Sequence, residues 1–295
     1  MTGAPQPDPG PGVGLAAPPA EPATRPVGTR PVGARAFKAL NAFPGFAGVG
    51  IALLVFLYLP LAVIIGYSFN ANNIVMVWSG FSLDWYTAVF ESAQIRQAFV
   101  NSLIIAVWST VVVLILAVLA AVGLVSMKRR GSAFVSGLLA APLILPEIVL
   151  AIAILSLFAF VKVPLGIPAM IVGHAVVGLP FALMTIRSRL SEADWSQFEA
   201  AADLGANERQ IFRRITLPML TPAIVSGGML SFIVSMDNFI MSFFTAGPGS
   251  TTLPLYIWGS LRVGLTPEIN ALSTMILVVS VLVLVLSQLI TRKKG

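Results

Sequence analysis

Long apolar runs, free or nearly free of charge, alternate along this chain with short polar stretches. Each run is about 20 residues or more, the length that crosses a bilayer as an α-helix. The runs predict spans at about 46–69, 98–126, 134–161, 167–186, 219–245 and 269–291. Apolarity is continuous within them rather than alternating. Backbone groups in lipid must also be bonded within their own segment or in a closed barrel, so helices are expected and not barrel strands. The pattern therefore predicts an all-α membrane protein with six transmembrane helices, the first kinked at Pro60. Residues 1–44 differ: they hold ten of the 21 prolines and show no apolar periodicity. They read as a disordered Pro/Ala/Gly-rich tail, with the membrane domain over 45–295. Arg25, Arg30, Arg35 and Lys38 lead into the first run as the basic front of a signal peptide would. That run is too long for a signal core and shows no small-residue cleavage site, so it reads as a retained span.

Composition agrees with lipid as the solvent. The 295 residues are 57% hydrophobic and 10% charged, whereas a soluble domain carries about a quarter charged residues. A formal net charge of +6 would suggest nucleic acid in a soluble protein. Here the basic residues cluster between apolar runs, so the charge reads as topology and no nucleic-acid partner is expected. Of the 18 Lys and Arg, 15 fall in the tail, the 128–130 loop, the 187–214 segment and the C-terminus. The positive-inside rule puts those segments, and so both termini, in the cytoplasm. Loops at about 70–96 and 246–268 lie outside; Trp85, Tyr86 and Phe90 in the first suit a membrane interface. The absence of cysteine excludes thiol chemistry, and one histidine makes no metal site by itself. No catalytic set is visible.

One long cytoplasmic stretch, 187–214, carries ten of the chain's 30 formal charges. Ser196-Gln-Phe-Glu199 has the form of a capping box, so a helix should start there, with Ser191-Glu-Ala-Asp194 as another start upstream. Ala200, Ala201 and Ala202 favour helix with little bulk, and Gly205 permits a turn or a close backbone approach. A second helical stretch is expected from about Asn207 to Ile215, with Leu204, Ile211 and Ile215 on one face. Leu217-Pro218 is expected to stop it. Such a segment is either a solvated connection or a docking surface. Its cap, small-residue patch, glycine and apolar stripe are more than a connection requires.

Glu199-Ala-Ala201, three residues, Gly205, nine residues, Ile215, one residue, then Leu217-Pro218 resembles the EAA motif of ABC importer permeases at full spacing. Further stretches resemble the polyamine (spermidine/putrescine) branch, second permease type: Gly173-His-Ala175, Leu179-Pro-Phe181, Met236-Asp-Asn238, Ala246-Gly-Pro-Gly249, Leu253-Pro-Leu255 and Pro267-Glu-Ile-Asn-Ala-Leu272. The resemblance covers roughly 46–291 and leaves out the tail. It implies a type I importer permease in a bacterial inner membrane, with a coupling helix in the 188–218 loop between spans four and five. That helix would sit in a cleft on a dimer of cytoplasmic ATPase subunits. Glu199 would pair with a basic group there, Ala200 and Ala201 would allow close packing, and Gly205 would make the turn. Asp203, Arg209, Ile215, Leu217 and Pro218 would complete the docking set. Glu199 as a capping residue remains open beside this. The resemblance also implies a second homologous permease chain, an extracytoplasmic substrate-binding protein and transport by alternating access. ATP and Mg would bind the partner ATPase, and no cofactor would bind this chain. The sequence has no P-loop of its own, because none of its five lysines follows a glycine.

Ionisable groups at membrane depth are costly and so are candidates for function. Asp237, beside Asn238, would favour a cationic substrate or serve as a hydrogen-bonded packing residue. Glu147 follows Pro142 and Pro146, where it would line a pathway or cap a restarted helix. His174 would hydrogen-bond a neighbouring helix or move a proton. Thr251 and Thr252 would form an outer gate, touch a binding protein or simply make a turn. No Lys or Arg lies deep in a span, which fits polyamines as cargo. Related cargoes such as iron, thiamine or a sulphonate remain alternatives. An ion-gradient carrier would need no motor-docking helix.

Overall fold

The computed structural model describes Gly3 and residues 44–73, 77–264 and 266–292, with side chains from residue 48 to Leu282. The tail predicted over 1–44 thus lies, apart from Gly3 and Pro44, outside the described residues. Two units are present, one up to Leu59 and one from Pro60 onward, and the packing below is that of the second. Among the described residues every regular element is helical, and extended pairing is confined to an isolated bridge between Asn70 and Phe81. In chain order the helices are α1 (Pro44–Tyr67), α2 (Asp84–Glu91), α3 (Ala93–Ser126) and α4 (Arg129–Ile144). Then come α5 (Glu147–Phe160), α6 (Ile167–Ser191), α7 (Ser196–Asp203) and α8 (Glu208–Ile211). A π-helical turn (Phe212–Thr216) leads into α9 (Leu217–Asp237), followed by α10 (Phe239–Thr245), α11 (Leu253–Val263) and α12 (Pro267–Arg292).

The apolar runs become long helices where nothing interrupts them. α1 continues through Pro60, and α3 spans 34 residues from a Ser92 cap. The predicted third span, 134–161, is not one helix. Proline restricts the residue before it: Leu145, before Pro146, is extended (φ −76°, ψ 139°), and α4 and α5 meet at 109°. The predicted fifth span, 219–245, also breaks. α9 ends at Asp237, Asn238 is extended (φ −73°, ψ 99°), and α10 restarts. Four described helices are long and apolar enough to cross a membrane, five counting the bent pair, where the hydropathy pattern predicts six. Within the predicted sixth, Pro267–Leu282 is apolar but shorter than these.

α3, α6 and α9 form the centre, around fully buried Val113, Ala117, Ala182, Ile186 and Leu220. Small residues let these helices close up, as lipid-embedded helices require. A Cβ on Gly227 would lie 3.2 Å from the Ala182 Cα, and one on Gly178 would lie 2.6 Å from the Ser231 Oγ. A second cluster, with Val89, Ile95, Leu253 and Leu272, ties α2, α3, α11 and α12 together. A third, with Ile154, Phe158, Ala169 and Met241, joins α5, α6 and α10. Large apolar side chains also point outward in numbers, among them Phe134, Ile144 and Phe160, as expected of a lipid-facing or partner-covered surface.

Candidate functional site

The connection after α6 is built from backbone rules. α7 begins at Ser196 as predicted, but not by the predicted device. With Ser196 already the first helical residue and Trp195 in the cap position, Glu199 is one residue too late to close a capping box, and no side-chain cap forms. Asp194 makes the turn instead, its Oδ1 accepting the Ser196 N–H at 3.0 Å. That N–H and the Ser196 hydroxyl hold its carboxyl below the usual carboxylate range. The upstream start read at Ser191 is the end of α6. Glu199 is exposed; its backbone N–H bonds Trp195 C=O at 3.2 Å, and its carboxylate makes no hydrogen bond or ion pair with the described residues.

α7 ends in a Schellman motif: Ala206 N–H reaches Ala201 C=O at 3.0 Å and Gly205 N–H reaches Ala202 C=O at 2.9 Å. Gly205 takes φ +81°, which side chains disfavour. The capping box of the segment is one helix later. Asn207 Oδ1 accepts the Gln210 N–H at 2.9 Å, and Gln210 Oε1 accepts the Asn207 N–H at 2.9 Å. Leu204 does not share a helix with Ile211 and Ile215, because the Gly205 turn intervenes. They nevertheless line one groove of about 320 Å³ with Ala201, Gly205 and Arg214, and Leu204 stands 88% exposed there. Leu217-Pro218 does not stop the helix. Leu217 N–H bonds Phe212 C=O, and this i→i−5 widening leaves room for the Pro218 ring, so the helix runs on from Glu208 to Asp237. Asp203 and Arg209 are exposed beside the turn.

Both helix breaks meet at one point. Glu147 opens α5 directly after Pro146. Its Oε1 accepts from Asn238 Nδ2 at 2.6 Å. The same Asn238 caps α10, its Oδ1 accepting the Met241 N–H at 2.8 Å. His174, on α6, spans the second break: Nδ1 lies 2.8 Å from Ser235 Oγ on α9 and Nε2 lies 3.0 Å from Ser242 Oγ on α10. Asp237 is not with them and not mid-helix. It is the last residue of α9, exposed, in a groove of about 630 Å³ walled by Met236, Phe239, Ile257, Trp258 and Leu261. Phe239 and Trp258 pack in a tilted pair with centroids 5.2 Å apart, and Arg262 lies over the Trp258 ring at 5.9 Å.

The 246–252 loop is held by residues that hydropathy alone passes over. Asn101 Nδ2, on α3, donates to Gly249 C=O at 3.0 Å and Thr251 C=O at 2.9 Å. Ser102 Oγ accepts the Leu253 N–H at 2.8 Å. Thr251 is exposed, whereas Thr252 is 2% exposed at the start of α11 and offers no surface to a partner in this conformation. Trp85 anchors its loop by donating Nε1–H to Asn70 C=O at 2.8 Å. Asn101, Ser102, Ser109, Ser235 and Ser242 share one signal: a polar side chain inside an apolar run.

Comparison with known proteins gives a family. Residues 113–293 match the model for the binding-protein-dependent transport system inner membrane component. The chain is 40% identical, over 247 residues, to the spermidine/putrescine transport system permease protein PotC of Escherichia coli (strain K12), covering 84% of this chain and 94% of that one. It is 40% identical over 229 residues to the putrescine transport system permease protein PotI of the same strain, covering 75% and 82%. Among solved structures, a chain of a bacterial ABC transporter for import of the acidic polysaccharide alginate shares the fold. Its TM-score is 0.65 at 19% identity, over 86% of this chain and 96% of that one.

Proposed function

The chain belongs to the family of binding-protein-dependent transport system inner membrane components, and on that premise we propose that it is the membrane-spanning permease subunit of an ATP-driven importer of putrescine and spermidine. The observation that carries the coupling part of this reading is the 196–218 segment. It presents a free Glu199 carboxylate, an exposed Leu204 and a groove turned by Gly205, which together make a surface for a soluble motor. The cargo part draws on the names of the similar proteins and on the acids Glu147 and Asp237, to which an ammonium group would be drawn.

In this reading the membrane is crossed six times, with the bent α4–α5 pair, α9 with α10, and all of α12 each completing a span. Both termini and the 188–218 loop face the cytoplasm, on the side rich in Lys and Arg. A dimer of ATPase subunits, which bind ATP and Mg, docks on this loop and on that of a second homologous permease chain. An extracytoplasmic binding protein delivers cargo near Thr251, and closure of the ATPase dimer turns the pathway from inward-open to outward-open. Asn238, Glu147 and Asp237 line or border that pathway. Uptake of labelled putrescine and spermidine, in cells lacking the gene and in cells with it restored, tests the proposal. Loss and recovery are expected. Unchanged uptake in cells with no second polyamine system would remove the cargo and turn attention to iron, thiamine or a sulphonate.

A further inference from the structure

We propose that His174 is a positioning residue that clamps the break between α9 and α10 and thereby holds Asn238 on Glu147. At 3% exposure the ring reaches neither groove nor solvent, so it does not touch cargo. It engages the two sides of the break, Ser235 before Asn238 and Ser242 after it.

Counting hydrogens fixes the direction of the bonds. The Ser242 hydroxyl has one hydrogen and donates it to the Asn238 carbonyl at 2.7 Å. Its oxygen must therefore accept from His174 Nε2–H. A neutral ring then has a lone pair on Nδ1, which accepts from the Ser235 hydroxyl, and the Ser235 oxygen accepts in turn from Ser109 Oγ at 3.0 Å. In a neutral ring this places the proton on Nε2, while the Ser109 hydroxyl hydrogen is shared, facing Ala106 C=O at 3.2 Å as well as Ser235 Oγ.

The hydrogen-bond chain thus ends on the Asn238 main-chain carbonyl and fixes the backbone from which the Asn238 side chain does two jobs at once, capping α10 and donating to Glu147. The neighbouring packing is equally tight: a Cβ on Gly173 would lie 2.7 Å from Met241 Cγ, so α6 and α10 approach closely at this level. Since α9 continues back to Glu208 without a break, a displacement of the docking segment arrives at Ser235. His174 passes it to α10, and Asn238 passes it to α5. The two broken helices then respond together.

The inference takes its assay from the transporter reading above. The assembled importer is reconstituted with its ATPase and binding protein, and putrescine uptake is compared for His174→Leu and His174→Gln. Glutamine supplies a donor and an acceptor as the ring does; leucine supplies neither. His174→Leu is expected to lower kcat about tenfold or more, the effect of losing both buried hydrogen bonds of the ring, and to leave KM within about twofold. His174→Gln should recover most of the loss. Combining His174→Leu with Glu147→Gln should add little to the larger single effect, since Glu147 is already released. Normal kcat in His174→Leu, glutamine no better than leucine, or additive losses would overturn the proposal. If His174→Leu does not insert, Ser242→Ala, which removes the acceptor of Nε2 together with the bond to the Asn238 main-chain carbonyl, is expected to lower kcat in the same way. ATP hydrolysis by the assembled complex reads the same comparison whatever the solute, so a failed cargo assignment does not imitate a failed clamp. A neutral Glu147→Gln beside an impaired, glutamine-rescued His174→Leu counts against the cargo role of Glu147 and supports the clamp.

Discussion

Gly205 and Gly247 restrict substitution for opposite reasons. At Gly205 an added Cβ meets nothing within 4 Å, and the restriction is φ +81° alone. A side chain there costs about 1–2 kcal/mol in backbone strain. Gly205→Asp should therefore leave the protein in the membrane at normal levels while abolishing uptake, with ATP hydrolysis by the motor persisting; normal uptake would sink the docking role. At Gly247 the Cβ would sit 2.4 Å from the Leu165 carbonyl oxygen, so the backbone itself must move. Gly247→Ala should lower the thermal midpoint in detergent, measured by intrinsic fluorescence. Asp237, exposed in an aromatic-walled groove, gives a third test. Asp237→Asn should raise KM for spermidine about tenfold, the size of one charge-assisted contact, while a neutral solute carried by the same complex would be unaffected. The acids were legible in the sequence because charge in an apolar run is conspicuous. Ser235 and Ser242 were not, because hydroxyls in helices pass for small filler, and their partner His174 is 61 and 68 residues away in the chain.

Among the elements, the long helices follow directly from the hydropathy pattern, and their ends do not. Ser196 and Asn207 lie 11 positions apart in one loop, and the box forms only at Asn207, which the pattern offered as a helix start and not as a cap. A pattern match cannot tell whether the serine lies outside the helix or is already its first residue. Asn207→Ala should cost about 1 kcal/mol and speed amide exchange over 208–212, whereas Ser196→Ala should change exchange over 196–203 very little. Hydrogen-exchange mass spectrometry of the purified protein checks both. The α6–α9 contact was equally hidden. Ala182 and Gly227 look like ordinary small residues until a Cβ added to Gly227 is seen to fall 3.2 Å from the Ala182 Cα. Gly227→Val should reduce the yield of folded protein by forcing these helices apart, and a second small substitution, Gly227→Ala, should be far milder.

For the whole molecule, the sidedness inferred from the basic residues is open to a direct test, because the chain has no cysteine to remove first. Arg96 and Arg130, both exposed, lie on opposite sides in the proposed topology. A membrane-impermeant maleimide should label Arg96→Cys from outside the cell and Arg130→Cys only after permeabilisation; the reverse pattern would invert the protein. The class of fold was readable because lipid imposes it on every span. The break at Pro146 was readable only as one alternative, because Pro60, Pro180 and Pro222 are carried within their helices, and the break at Asn238 was not readable at all. One such detail has a long reach. The widened turn at Phe212–Thr216 amounts to one extra residue in the helix, or about 100° of rotation. It sets the phase between the docking groove at one end and the residues around the α9–α10 break at the other. Deleting a single residue there would restore a regular helix and leave both ends intact. It would also turn them out of alignment, so that a motor could still bind while its push arrived on the wrong side of the rod.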